Sequence, residues 1–245
     1  MLEMFQICIS LLDSTIRIAT PLIFCAMAGI FSERSGIIDI SLEGKMLLSA
    51  FVAASATFLT GSPWIGLFSA VVASGFASVI HGFACITNKG DQVISGLAIN
   101  ILASGLTITV GIALFSRGGQ TPSLGSDQRF MPIDFPFQSL TNNIPFFGDL
   151  YSDVISGHNI LVYLSLLAVF VTYYMVFKTR FGLRLRAVGE KPEAVDTAGI
   201  SVIRMRYQAV IIAGMLCGFA GAYLSIAHGA GFGREMSAGK GYIAL

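Results

Sequence analysis

Charge is scarce in this sequence. Only 12% of its 245 residues are Asp, Glu, Lys or Arg, against about a quarter in a typical soluble domain. That leaves too little polar surface to cover a water-soluble fold of this size. The 15 Lys and Arg nearly balance the 14 Asp and Glu, and a net charge of +1 gives no global field to attract nucleic acid. Cysteine is sparse too: Cys8, Cys25, Cys85 and Cys217 stand singly in apolar sequence, with no CxxC pair. They read as small buried hydrophobes, not as disulfides or metal ligands. His81, His158 and His228 lack a second His or an acid at ligand spacing, which speaks against a metal. No Ser or Cys sits in a nucleophile elbow. Gly229 to Gly233 and Gly239-Lys240 miss the GxxxxGK[ST] spacing of a phosphate loop. The N-terminus shows no basic region followed by a small-residue cleavage site, so no cleaved signal peptide is expected. Nothing calls for a cofactor.

Apolar residues are what the chain has: 54% of the total, with a mean hydropathy of +0.76. They lie in long continuous runs, not in the ten-residue alternating segments of an outer-membrane barrel. Each bilayer crossing needs about 20 mostly apolar residues. Six spans are therefore predicted, at about 7–31 (with Pro21 a candidate kink), 42–60, 64–87, 92–116, 159–177 and 207–230. The expected fold is all-α, a polytopic helical bundle forming a single transmembrane domain over residues 1–245.

The connections orient it. Residues 178–206 carry Lys178, Arg180, Arg184, Arg186, Lys191, Arg204 and Arg206, and clustered basic residues between spans stay cytoplasmic. The long loop 117–158 is rich in Pro, Gly, Asp and Asn and is placed outside. Alternation then puts 32–41 and 88–91 inside and the N-terminus outside. The chain stops at Tyr242-Ile243-Ala244-Leu245, an apolar run barely begun, so further C-terminal helices are expected in a complete protein.

Three features carry functional information. Phe31 to Lys45 interrupts apolar sequence with charges and two glycines. Backbone that leaves a helix at membrane depth must be covered by protein or line a watery cavity, and transporters build substrate sites from such broken helices. An ordinary solvated cytoplasmic loop is the competing reading. Ser41 is placed to cap the following helix, with Glu43 in its first turn. Asn100 sits mid-span and needs a partner in lipid. An interhelical hydrogen bond serves as well as substrate contact, and Ser104 shares its face. Finally, Lys191 to Ala198 reads as a short helix, with Pro192 in the first turn, acids near the positive end and Gly199 to stop it. Too short to stand alone in water, it is expected to rest on neighbouring protein.

Four stretches resemble the permeases of ATP-binding cassette importers for nucleosides and simple sugars. They are Ser32 to Gly44, Gln92 to Asn100, Gly189 to Ser201, and Ser237 to Leu245, in the family's order and over most of the chain. Leu42-Glu43-Gly44 and the third stretch lean toward the nucleoside branch; Ile38 to Ser41 keeps a trace of the ribose-type pattern. The resemblance implies a multi-pass subunit of the bacterial inner (plasma) membrane. It would work with an ABC ATPase subunit, a second homologous permease subunit and an extracytoplasmic substrate-binding protein. It would perform no bond chemistry and would contact membrane lipid but no nucleic acid. Glu43, Asn100 and Ser104 are the expected pathway residues. Glu190, Lys191, Pro192, Glu193, Ala194, Asp196, Thr197 and Gly199 are the expected ATPase-coupling residues. A simple-sugar permease is the first alternative. An ion-coupled secondary transporter is a weaker one, since the later spans lack acids.

Overall fold

A computed structural model of the chain describes residues 2–133 and 156–245. Among these, six helices are long and apolar enough to cross a membrane. They are α1 (Leu2–Arg34), α2 (Leu42–Thr60), α3 (Pro63–Gly82), α4 (Gln92–Phe115), α5 (Ile160–Lys178) and α8 (Val202–Ala222). Between α5 and α8 lie two short helices, α6 (Arg180–Glu190) and α7 (Pro192–Thr197); α9 (Lys240–Ala244) closes the chain. Two π-helical turns, Phe83–Thr87 and Tyr223–His228, extend α3 and α8. A two-residue antiparallel pairing joins β1 (Pro132–Ile133) to β2 (His158–Asn159). Most of the predicted 117–158 loop, from residue 134 to 155, lies outside the described residues.

Helices α2 and α8 occupy the centre. About 72% of each is buried, whereas α4 and α5 bury only 28% and turn Ile101, Leu102, Phe170 and Tyr174 outward. Their outer faces need no polar groups, because an α-helix satisfies its own backbone in lipid. Close approach at the centre depends on small residues. A Cβ on Gly218 would lie 2.6 Å from the Cα of Val71 in α3, and one on Gly221 would lie 2.4 Å from the carbonyl oxygen of Met46 in α2. In a bilayer such packing, not water exclusion, holds helices together. Gly218→Val should therefore force α3 and α8 apart and destabilise the bundle by about 1–3 kcal/mol. Thermal unfolding in detergent reads this as a lowered Tm.

The basic segment is more ordered than the sequence reading supposed. Only the short helix near 191–198 was expected; α6 precedes it. Its apolar Phe181, Leu185 and Val188 recur at helical spacing, and Leu185 and Val188 are fully buried. Thr179 fixes the corner after α5, donating to the Met175 carbonyl (2.5 Å) and accepting from the Gly182 N–H (3.2 Å). Pro192 opens α7, and Gly199, at φ +76°, follows its end in the left-handed region that a helix stop requires. Leu185, Val188, Val195 and Met205 join Phe31 and Leu42 in one core cluster. The segment is thus bolted to the ends of α1 and α2.

Candidate functional site: the polar break between α1 and α2

Helix α1 ends where Ser35 and Gly36 fold back on the carbonyls of Ser32 and Glu33 (3.0 and 2.9 Å). The chain then runs without helix along the first two turns of α4. The Ile38 N–H donates to Gln92 Oε1 (2.7 Å), Ile40 passes Gly96, and the Gly44 N–H donates to Asn100 Oδ1 (2.8 Å). From Gln92 to Asn100 is a rise of about 12 Å at 1.5 Å per residue. Helix α2 thus begins two turns inside the span of α4; within the break Ile37, Asp39 and Ser41 are buried, while Gly36 and Ile38 are exposed. This is the broken-helix arrangement, not a solvated loop.

Asp39 organises the break. Its carboxylate accepts from the Ser41 N–H (3.2 Å), from the Ser41 hydroxyl, and from Lys45 Nζ at 2.5 Å. All three side chains are fully buried. Ser41 stands at the N-cap of α2, yet its hydroxyl turns back to Asp39 and makes no cap. The capping role expected of Ser41 is not filled by it; the Gly44 N–H in the first turn of α2 donates to Asn100 instead. From α3, His81 sets Nε2 3.8 Å from Asp39 Oδ1 and Nδ1 3.1 Å from the Ser95 hydroxyl. It is a fully buried hydrogen-bonding residue.

The three expected pathway residues, Glu43, Asn100 and Ser104, converge on one segment, residues 235–242. Glu43 accepts from the N–H groups of Gly239 (2.8 Å) and Gly241 (2.6 Å), so one carboxylate holds the start of α9. Asn100 Nδ2 donates to the Ile40 carbonyl (3.0 Å) and the Tyr242 hydroxyl (2.7 Å). Ser104 donates to Glu235. Asn100 therefore makes the interhelical bonds its burial demanded and ties α4 to both sides of the break. Its contact with the backbone of α2 is possible only because residue 44 is glycine: a Cβ there would lie 2.7 Å from Asn100 Oδ1.

Asp39, Lys45, Glu235 and Tyr242 were not singled out from sequence. Asp39 and Lys45 had a signal, opposite charges flanking a glycine in apolar surroundings. Glu235 and Tyr242 had none beyond lying next to or within the last of the four resembling stretches. Among the described residues no group of His, Cys, Asp and Glu has the makings of a metal site. The arrangement offers three carboxylates, an ammonium group, amide and hydroxyl dipoles and backbone amides, and its bonds tie helix ends to the segments between them.

Residues 11–245, the whole of this assembly included, match the family described as branched-chain amino acid transport system / permease component. The chain belongs to that family. The guanosine ABC transporter permease protein NupQ of Bacillus subtilis is 36% identical over 254 residues, covering 100% of this chain and 76% of the relative. The putative glucose ABC transporter permease protein TsgC13 of Haloferax volcanii is 36% identical over 236 residues, covering 96% and 68%. The nucleoside ABC transporter permease protein NupC of Lactococcus lactis is 34% identical over 234 residues, covering 93% and 70%. No solved structure matches the chain. The protein is a multi-pass membrane permease of an ABC transporter, a transport component and not an enzyme, and an ABC permease works with an ATPase and a substrate-binding protein.

Proposed function

We propose that this permease lines the translocation pathway of a nucleoside importer, paired with a second, homologous permease. Two relatives that match nearly all of the chain, NupQ and NupC, are named for guanosine and nucleoside transport, and this carries the substrate class. Glu43, Asn100 and Ser104 border the pathway through the segment they hold. Uptake of radiolabelled guanosine by cells expressing the full importer should be competed by adenosine and uridine and not by excess glucose. One specific observation favours a sugar instead: TsgC13, named as a putative glucose permease, is also 36% identical, over somewhat less of the chain than NupQ. Competition by glucose, with none by adenosine or uridine, would settle the matter for the sugar.

The ATPase docks on the cytoplasmic knob formed by α6 and α7. Glu190, Lys191, Glu193, Ala194, Asp196, Thr197 and Gly199 are exposed and Pro192 partly so, while Val195 anchors the helix in the core. Leu183, Ala187, Ala194 and Ala198 line an apolar groove beside these charges, a combination suited to a specific protein partner. Replacing residues 190–199 with a Gly-Ser linker of equal length should abolish ATPase co-purification. Undiminished co-purification would remove the segment from the docking surface.

A further inference from the structure

We infer that Gly36 and Gly189 form the joint through which movement of the α6–α7 knob enters the break before α2. This rests on the docking reading above and names where the stroke goes next. At the end of α6 the backbone of Gly189 presses directly on the end of α1. A Cβ built on Gly189 would lie 2.5 Å from the carbonyl oxygen of Arg34 and 3.3 Å from the Gly36 nitrogen. A Cβ built on Gly36, whose φ is +80°, would lie 3.4 Å from the Cα of Gly189 and 3.6 Å from the Arg206 guanidinium. Two main chains touch with no side chain between them. Such a contact has no rotamers to absorb a displacement, so it passes movement on where a layer of flexible side chains would damp it.

The parts on either side are stiff. Upstream, Leu185 and Val188 in α6 and Val195 in α7 share one buried cluster with Phe31 of α1 and Leu42 of α2, so α6 and α7 are packed together and held against the helix ends around the joint. Downstream, the Asp39–Lys45 ion pair ties the non-helical stretch to the first turns of α2. From there Asn100 and Glu43 reach residues 239–242. A push at Gly189 therefore arrives at the segment where the three pathway residues meet. The covalent routes run back through α5, at the lipid-exposed edge of the bundle, and forward through residues 198–201 into α8 and on toward residues 235–242; the Gly36–Gly189 contact meets the break itself. Gly36 and Gly189 are positioning residues: they touch neither substrate nor nucleotide, and they set the phase between ATPase and pathway.

The test is the transport ratio, guanosine accumulated per ATP hydrolysed, in the complete importer reconstituted in liposomes. Gly189→Ala should still co-purify the ATPase and hydrolyse ATP while the ratio falls at least about tenfold. Gly36→Ala, whose Cβ meets Gly189 only at contact distance but whose φ of +80° strains the alanine backbone, should give a smaller fall, about threefold. If Gly189→Ala fails to assemble, the milder variant decides. A wild-type ratio in any assembled variant overturns the joint. So does loss of ATPase binding, or failure of both variants to assemble, since the contact would then be part of the dock or of the scaffold. Co-purification that survives replacement of 190–199 sinks the docking reading by itself, so the two failures are distinguishable.

Discussion

Lys45→Met is expected to destabilise the permease by about 3–5 kcal/mol, because it strands the Asp39 carboxylate in a fully buried site. The pair is completely buried, at 0% exposure for both side chains, and 2.5 Å apart. Asp39→Asn should cost a similar amount by stranding the ammonium. The double variant Asp39→Asn/Lys45→Met should be more stable than either single variant, since it removes both charges and keeps an acceptor for the Ser41 N–H. Thermal unfolding of the four proteins in detergent completes the cycle. A double variant no better than the worse single one would show that the pair's worth is not electrostatic.

The same pair shows where sequence reading reaches its limit. The six crossings were legible because lipid admits few solutions: a long apolar run must become a helix, and charge must collect in the connections. The break at 32–45 was legible for the same reason, as charge and glycine where the pattern asked for apolar residues. Helix α7 could be read from Pro192 and Gly199, which fix backbone geometry locally. Helix α6 was missed although Phe181, Leu185 and Val188 carry its period; the dense Arg residues around them drew the reading toward a loop. The partners of the polar residues were not legible at all. Asn100 bonds residues 56 to 142 positions away, and a lone Asn specifies that it needs partners but not which ones. Ser41 shows the reverse error. Its type and position suit a helix cap, but an acid two residues earlier captured its hydroxyl. The π-helical turns at Phe83–Thr87 and Tyr223–His228 have no local signal that we can identify.

Asn100→Leu separates a clamp from a substrate contact. Leucine keeps the branching of Asn, but its methyl groups are too bulky to sit where the amide hydrogen-bonds at 2.7–3.0 Å, and the buried Gly44 N–H and Ile40 carbonyl lose their partner. Each such group costs about 1–3 kcal/mol, so a loss of about 3 kcal/mol and a clearly lower Tm are expected, together with loss of guanosine uptake. Glu43→Gln provides the contrast. The amide keeps one acceptor oxygen for the N–H of Gly239 or Gly241 and loses the charge assistance that makes the present bonds strong. Its Tm should fall less, and its uptake should fall in step. In both variants transport and stability should decline together, because each residue acts by holding residues 239–242 in place. A different pattern would relocate Asn100. If Asn100→Leu melts at the wild-type temperature while its KM for guanosine rises and the maximal rate is kept, the amide meets the substrate, and the bonds to Gly44, Ile40 and Tyr242 do not hold the break together.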